Sequence, residues 1–122
     1  MVCKMKDLAP HITRQRLLIE GFYEIDVDEE VIKRYYKKLI KELRLRAYGE
    51  PIIHNPSGQG KEINQGYDCF VPLIDSGIYV GVWKNAKFFS TVIYTCKKFS
   101  EKKAIGITTK FWKISKIATH SF

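Results

Sequence analysis

The chain has 122 residues, of which 45% are hydrophobic and 28% charged, and its net charge is +8. This length predicts one domain spanning residues 1–122, and the hydrophobic content supplies a core, which excludes wholesale disorder. No apolar run approaches the roughly 20 residues of a membrane-spanning helix and no signal peptide is visible, so we expect a cytoplasmic protein without membrane contact.

The predicted elements begin, after a basic N-terminal arm, with a strand over residues 17–25. Acidic residues at 26–30 then favour a helix start, because carboxylates cap a helix and stabilise the positive end of its dipole. We expect this helix to continue to about Tyr48 and to end at Gly49. Its apolar residues recur at helical spacing and predict a core-facing stripe of Ile32, Tyr35, Tyr36, Leu39, Ile40 and Leu43.

The middle of the chain is rich in β-branched and aromatic residues, which are typical of a sheet. A short strand over 51–54 leads into a polar loop, where we expect Gly58-Gln59-Gly60 to form a flexible connection rather than a phosphate-binding loop. Further strands are predicted over residues 67–73, 78–83 and 88–94. The last two form a hairpin with its apex at Asn85.

A second helix is predicted after Ser100, which can cap it, with Glu101 in its first turn. Residues 116–121 predict a last strand. The buried face of the second helix is expected to carry Ala104, Ile107, Phe111 and Ile114. The order of elements predicts an α+β fold, a two-layer α/β sandwich with a mainly antiparallel sheet and two helices on one face.

Cysteines, histidines and surface charges give weaker signals. Neither a disulfide framework nor a metal site is expected, because Cys3, Cys69 and Cys96 form no C-x-x-C pair and the histidines are scattered. The basic side of the first helix carries Lys33, Lys37, Lys41 and Arg44. A solvated surface is the favoured interpretation there, and an acidic partner is the alternative.

Ser76 and Cys96 stand twenty residues apart, at the two ends of the predicted hairpin. With the apex at Asn85, Ser76 pairs with Tyr94 and Cys96 becomes its diagonal neighbour. Both side chains then share a sheet face, where diagonal neighbours lie within roughly 7–8 Å. The pattern predicts a hydroxyl and a thiol lining one pocket. Taken singly, a serine is ordinary at a turn and a free cysteine is ordinary in a core.

The run from Asp75 to Trp83 reads Asp-Ser-Gly-Ile-Tyr-Val-Gly-Val-Trp, and Thr95-Cys96 follows it. This arrangement resembles the small bacterial and archaeal form of S-adenosylmethionine decarboxylase. That family's cleavage motif reads Glu-Ser-His-Ile-Ser-Ile-His-Thr-Trp, with a Thr-Cys twenty residues after the serine. Weaker similarity at residues 21–24 and at Gly66 extends the resemblance over most of the chain.

The resemblance implies a pyruvoyl-dependent lyase of polyamine (spermidine) biosynthesis. By this resemblance, self-cleavage after Asp75 would turn Ser76 into a pyruvoyl group, and Cys96 would be the proton donor. The pyruvoyl carbonyl forms a Schiff base with the substrate amine and accepts electrons as carbon dioxide leaves. No separate cofactor is expected. Family members pair two protomers through their sheets, which implies a homodimer.

The departures from the family pattern concern the self-cleavage. The family histidine five residues after the serine is Gly81 here, and glycine has no titratable group that could move a proton. The histidine directly after the serine is Gly77, and a serine eight residues before the cleavage serine is Asp68. Residues that could substitute from elsewhere are His11, His54 and His120.

We therefore predict a decarboxylase-like protein that stays uncleaved, or cleaves poorly, and keeps a pocket for S-adenosylmethionine or a related amine. Tyr79 and Trp83 are expected to face the core or the helices rather than a ligand. One alternative is an active pyruvoyl-dependent decarboxylase acting on S-adenosylmethionine or an amino acid. The other is a basic nucleic-acid-binding module, which the positive charge favours.

Overall fold

The computed structural model describes residues 5–55 and 60–122, and within them six strands form one sheet. The strands are β1 (Gln15–Phe22), β2 (Ile52–His54), β3 (Gly66–Leu73), β4 (Ser76–Trp83), β5 (Phe88–Thr95) and β6 (Lys116–Ser121). The helices are α1 (Glu29–Glu42) and α2 (Glu101–Trp112), with a short 3₁₀ turn at Glu62–Asn64. The sheet order is β2-β3-β4-β5-β1-β6 with antiparallel neighbours throughout. This confirms the predicted α+β sandwich.

The core lies between the helices and one face of the sheet. Alternate strand residues point into it, including Ile78, Val80 and Val82 of β4, because side chains alternate along a strand. Trp112 of α2 packs on Phe89 of β5 with ring centroids 4.4 Å apart. The predicted stripe of α1 is buried, with Ile40 only partly so. Neither helix in the described ranges is long and apolar enough to cross a membrane.

Both helices begin at capping residues that the sequence indicated. The Asp28 carboxylate accepts a hydrogen bond from the Val31 backbone N–H at 2.9 Å, and the Ser100 hydroxyl accepts one from Lys103 at 3.1 Å. These side chains satisfy backbone donors that have no partner within the first turn of a helix. Capping residues close in sequence therefore sufficed to predict where the two helices begin.

The end of α1 differs from the prediction, which placed it near Tyr48. The helix ends at Glu42, and Arg44 adopts a left-handed conformation with φ of 56°. This turn sends the chain back to the sheet, where Ala47 pairs with Leu73. The contact is remote in sequence, so helical propensity alone did not reveal it.

The buried face of α2 also differs from the predicted one. Thr108 and Trp112 are fully buried with Ala104, whereas Ile107 and Phe111 are only partly buried. A hydrogen bond of 2.7 Å between the hydroxyls of Tyr35 and Thr108 joins the two helices. Ala104 and Ile114 are buried as predicted, but the Trp112 ring takes the central place in the core that was expected for Ile107 and Phe111.

Candidate functional site

The hairpin of β4 and β5 has a register different from the predicted one. Four residues, 84–87, join the strands, so Ser76 pairs with Thr95 rather than with Tyr94. The prediction was wrong by one residue, because an apex at a single residue requires an odd-numbered loop. A shift of one residue exchanges the two sheet faces. With Ser76 paired to Thr95, the alternation of side chains along the strands gives no reason to place Ser76 and Cys96 on the same face of the sheet.

Cys96 follows β5 and lies opposite Asp75 instead. Its backbone N–H donates to the Asp75 carbonyl at 2.8 Å, and its side chain is exposed. Cys69 is buried, and burial, reinforced by the nearby Asp68 charge, raises the pKa of its thiol to about 12. Cys3 lies outside the described residues. The chemical roles of Ser76 and Cys96 stay predictions.

Asp75 anchors the turn between β3 and β4. Its Oδ1 accepts a hydrogen bond from the Arg46 guanidinium and its Oδ2 accepts one from the Arg46 backbone N–H, both at 3.0 Å. The guanidinium holds the pKa of this buried carboxyl below its usual value. Both carboxylate oxygens are thus engaged with the segment that follows α1, which makes Asp75 a structural anchor.

Ser76 has a backbone conformation that L-residues rarely adopt, with φ of 130°. Such conformations cost on the order of 1–3 kcal/mol and persist only where the surroundings impose them. The turn before Ser76 is fixed on one side by Asp75 and on the other by the pairing of Leu73 with Ser76. Backbone strain is therefore located at Ser76, next to the bond that joins it to Asp75.

The face of the sheet opposite the helices, which we call the outer face, carries polar residues aligned across five strands. Their pairing in the ladder places them side by side, at about 4.8 Å per strand. This central row consists, in sheet order, of His54, Asp68, Gly81, Ser90 and Glu20. Asp68 and Gly81 occupy the positions where the family has residues for self-cleavage, and they pair directly with each other in this row.

Tyr79 fills the space next to Gly81. A Cβ atom at position 81 would lie 2.7 Å from the Tyr79 hydroxyl and 3.0 Å from the nearest ring atom of Trp83. The Tyr79 hydroxyl donates to Asp68 Oδ1 at 3.2 Å. Burial, with Asp68 nearby, raises the pKa of Tyr79 to about 12. The prediction that Tyr79 and Trp83 face the core is wrong, because their β4 neighbours face it instead.

Gly77 is closed in a similar way. A Cβ atom there would lie 2.5 Å from the nearest atom of the Phe70 ring. Aromatic side chains of this chain therefore occupy the space beside both positions where the family has histidine. An imidazole at either position would require the neighbouring aromatic side chain to move.

Aromatic rings and carboxylates meet on the outer face. The Phe88 ring packs edge-on against Phe22 at 5.3 Å and against Trp83 at 5.4 Å. In the central row, the Ser90 hydroxyl donates to Glu20 at 2.9 Å. Rings and carboxylates together attract organic cations. Sequence reasoning missed Glu20, although its alternation with the apolar residues of β1 was a usable signal.

The three histidines lie at different distances from Gly81. His54 pairs with Asp68 in the central row, so its backbone is two strand spacings, about 10 Å, from Gly81. His120 is on β6 and stacks on Phe122 with centroids 5.7 Å apart. His11 precedes β1. Across the described ranges, no group of three His, Cys, Asp or Glu side chains is positioned to hold a metal ion.

Comparison with known proteins gives a structural match. Neither a protein-family model nor a curated protein matches the chain. The crystal structure of the adenosylmethionine decarboxylase from Aquifex aeolicus VF5 superposes with a TM-score of 0.72 at 17% sequence identity, covering 91% of this chain and 89% of that one. At this identity the match shows the fold alone. The chain therefore adopts the adenosylmethionine decarboxylase-like fold.

Proposed function

We propose that this protein is a decarboxylase-like binding protein that stays intact and binds S-adenosylmethionine or a related amine on its outer face. The observation that carries the first part is the Tyr79 hydroxyl beside Gly81. The position where the resemblance expects the base for self-cleavage has no titratable group, and a side chain of the protein itself covers it.

The preference for a cation rests on the outer face. Asp68 and Glu20 flank the small residues Gly81 and Ser90, three strand spacings or about 14 Å apart at the backbone. The rings of Trp83 and Phe88 lie next to this row. Carboxylates and ring faces stabilise ammonium and sulfonium groups, even on a protein whose net charge is +8.

Two measurements test this proposal. The mass of the purified protein should correspond to one chain of 14.2 kDa, rather than to fragments of 75 and 47 residues. Calorimetry should detect binding of S-adenosylmethionine or its decarboxylated product, and Asp68→Asn with Glu20→Gln should weaken it at least about fivefold. Glu24→Gln, at an exposed position after β1, is the matched control and should bind normally. The proposal would be refuted if neither compound bound.

The active decarboxylase is the second candidate, and the backbone of Ser76 favours it. A φ of 130° at the residue after the scissile bond stores strain that cleavage would release. This candidate expects two fragments, the smaller with a blocked N-terminus, and carbon dioxide from labelled S-adenosylmethionine. A Ser76→Ala variant would then remain intact. A single wild-type chain without product excludes it.

Nucleic-acid binding is the third candidate, favoured by the exposed surface of the helices. Basic residues concentrated there are Arg34, Lys37, Lys38, Lys41, Lys102, Lys103 and Lys110. Affinity for an oligonucleotide should then fall steeply with salt as counterions are released. A double variant, Lys38→Glu with Lys102→Glu, should weaken it further. Salt-independent or absent binding would remove this candidate.

We also propose that two copies associate through their outer faces, which would place the amine site between the two copies. Phe22, Phe70 and Tyr94 are each more than 40% exposed there. A face-to-face pairing would remove these rings from water. Sedimentation should show a dimer for the wild type and a monomer for Phe70→Glu. A monomeric wild type at high concentration would contradict the pairing.

A further inference from the structure

The helix layer contains a groove that is separate from the outer face. It lies between α1 and residues 47–51 and has a volume of about 520 Å³, within the range of small-molecule sites. Its floor is apolar and consists of Tyr36, Ile40, Ala47, Pro51 and Val71. Tyr36 and Val71 belong to the buried core, so the floor is rigid.

The rim of this groove is positively charged. Lys33, Lys37 and Lys41 recur every four residues, which places them on one side of α1. Lys33 pairs with Glu30 at 3.7 Å. In the described part of the chain, the side-chain ammonium groups of Lys37 and Lys41 have no ion-pair or hydrogen-bond partner.

The opposite rim supplies little compensation. The lining residues include two carboxylates, Glu50 on this rim and Glu30 on the α1 side, against four cations. One of these cations, Arg34, forms no ion pair among the described residues. A surplus of positive charge over an apolar floor is complementary to a molecule with an apolar body and one negative group.

We propose that this groove binds a soluble amphiphilic anion, a medium-chain or aromatic monocarboxylate. Its apolar body lies on Tyr36, Ile40 and Pro51, and its carboxylate lies between the ammonium groups of Lys37 and Lys41. The long lysine stems can cover the apolar body while their charged ends stay in water. This site is independent of the amine site on the outer face.

Three ligands with the same alkyl chain but different head-group charge separate the contribution of the basic rim from that of the apolar floor. Decanoate, decanol and decyltrimethylammonium are titrated below their micelle concentrations into ¹⁵N-labelled protein, and amide shifts are followed. We expect decanoate to shift the amides of Lys37, Ile40 and Ala47, with decanol at least about tenfold weaker and the cation weaker still. Equal binding of all three, no binding of decanoate, or binding only to anionic phosphatidylglycerol vesicles would overturn the proposal.

Charge reversal supplies the matched variants. Lys37→Glu with Lys41→Glu should weaken decanoate binding at least about tenfold. Lys38→Glu alters the same helix outside this groove and should leave decanoate binding unchanged, as should Asp68→Asn on the outer face. These positions are exposed, so folding is expected to persist and is checked by circular dichroism. Equal loss in the Lys38→Glu variant would instead indicate a diffuse basic surface and would refute the groove.

Discussion

Tyr79 covers Gly81, its neighbour two residues along β4, and its hydroxyl would lie 2.7 Å from a Cβ atom at position 81. The same hydroxyl donates to Asp68, the direct partner of Gly81 on β3. Two of the three positions that differ from the family pattern, Asp68 and Gly81, are thus linked through one tyrosine. A single substitution cannot restore a base there without displacing that ring.

Gly81→His should destabilise the fold and leave the chain uncleaved. The new side chain meets the ends of the Tyr79 and Trp83 side chains, which must move, so the cost is near the lower end of the roughly 1–3 kcal/mol that overpacking causes. In a Tyr79→Ala background the same substitution should cost less, because the colliding ring is absent. Urea denaturation measures the free energy of unfolding, and mass spectrometry reports cleavage. Fragments from Gly81→His alone would contradict this account.

Gly106→Ala is the control for adding a side chain at a glycine. No atom lies within 4 Å of a Cβ built at Gly106, and the residue is inside α2. Alanine has a higher helix propensity, so the variant should be more stable by about 0.5–1 kcal/mol. A loss of stability in urea denaturation would show that the open space is not available.

Ser76→Gly should be more stable than Ser76→Ala by about 1 kcal/mol. Glycine accepts a φ of 130° without the steric cost that a Cβ atom imposes, and alanine does not. Both variants remove the hydroxyl, so their difference isolates the backbone conformation. Equal unfolding free energies for the two variants would argue against strain at this position.

Asp75→Asn should lower stability at neutral pH by about 1–2 kcal/mol, because it removes a charge-assisted hydrogen bond to Arg46. The folded pKa of Asp75 is lowered, so its stabilising contribution is complete above its unfolded pKa of about 3.8. The contribution is lost as the pH falls through the lower folded pKa. The stability difference between wild type and variant should therefore shrink below pH 3.8, which acid and urea titrations measure. A constant difference across that range would contradict the ion pair.

Cys96 and Cys69 should react very differently with a thiol reagent. In a Cys3→Ser background, the exposed Cys96 should be modified rapidly at pH 8. Cys69 should react only on unfolding, because it is 2% exposed and its pKa of about 12 leaves roughly one thiolate in ten thousand at that pH. Cys96→Ser should abolish the rapid phase. Two rapid thiols in the native double-cysteine protein would disprove this assignment.

Local patterns along the chain predicted most of the elements and the class of fold. Runs of β-branched and aromatic residues predicted most strands, the apolar stripe of α1 predicted its buried face, and the acidic residues at 26–30 and Ser100 predicted the helix starts. These signals are local, because capping and side-chain periodicity involve residues a few positions apart. The resemblance around Ser76 led to the fold that the structural match with the Aquifex aeolicus enzyme supports.

Tertiary contacts set the register of the hairpin, the end of α1 and the direction of Tyr79. The register depends on the geometry of a four-residue turn, and one residue of difference moved Cys96 from beside Ser76 to opposite Asp75. The return of the chain after Arg44 depends on pairing with Leu73, far along the sequence. Contacts between distant residues set these features, and no local pattern encodes them.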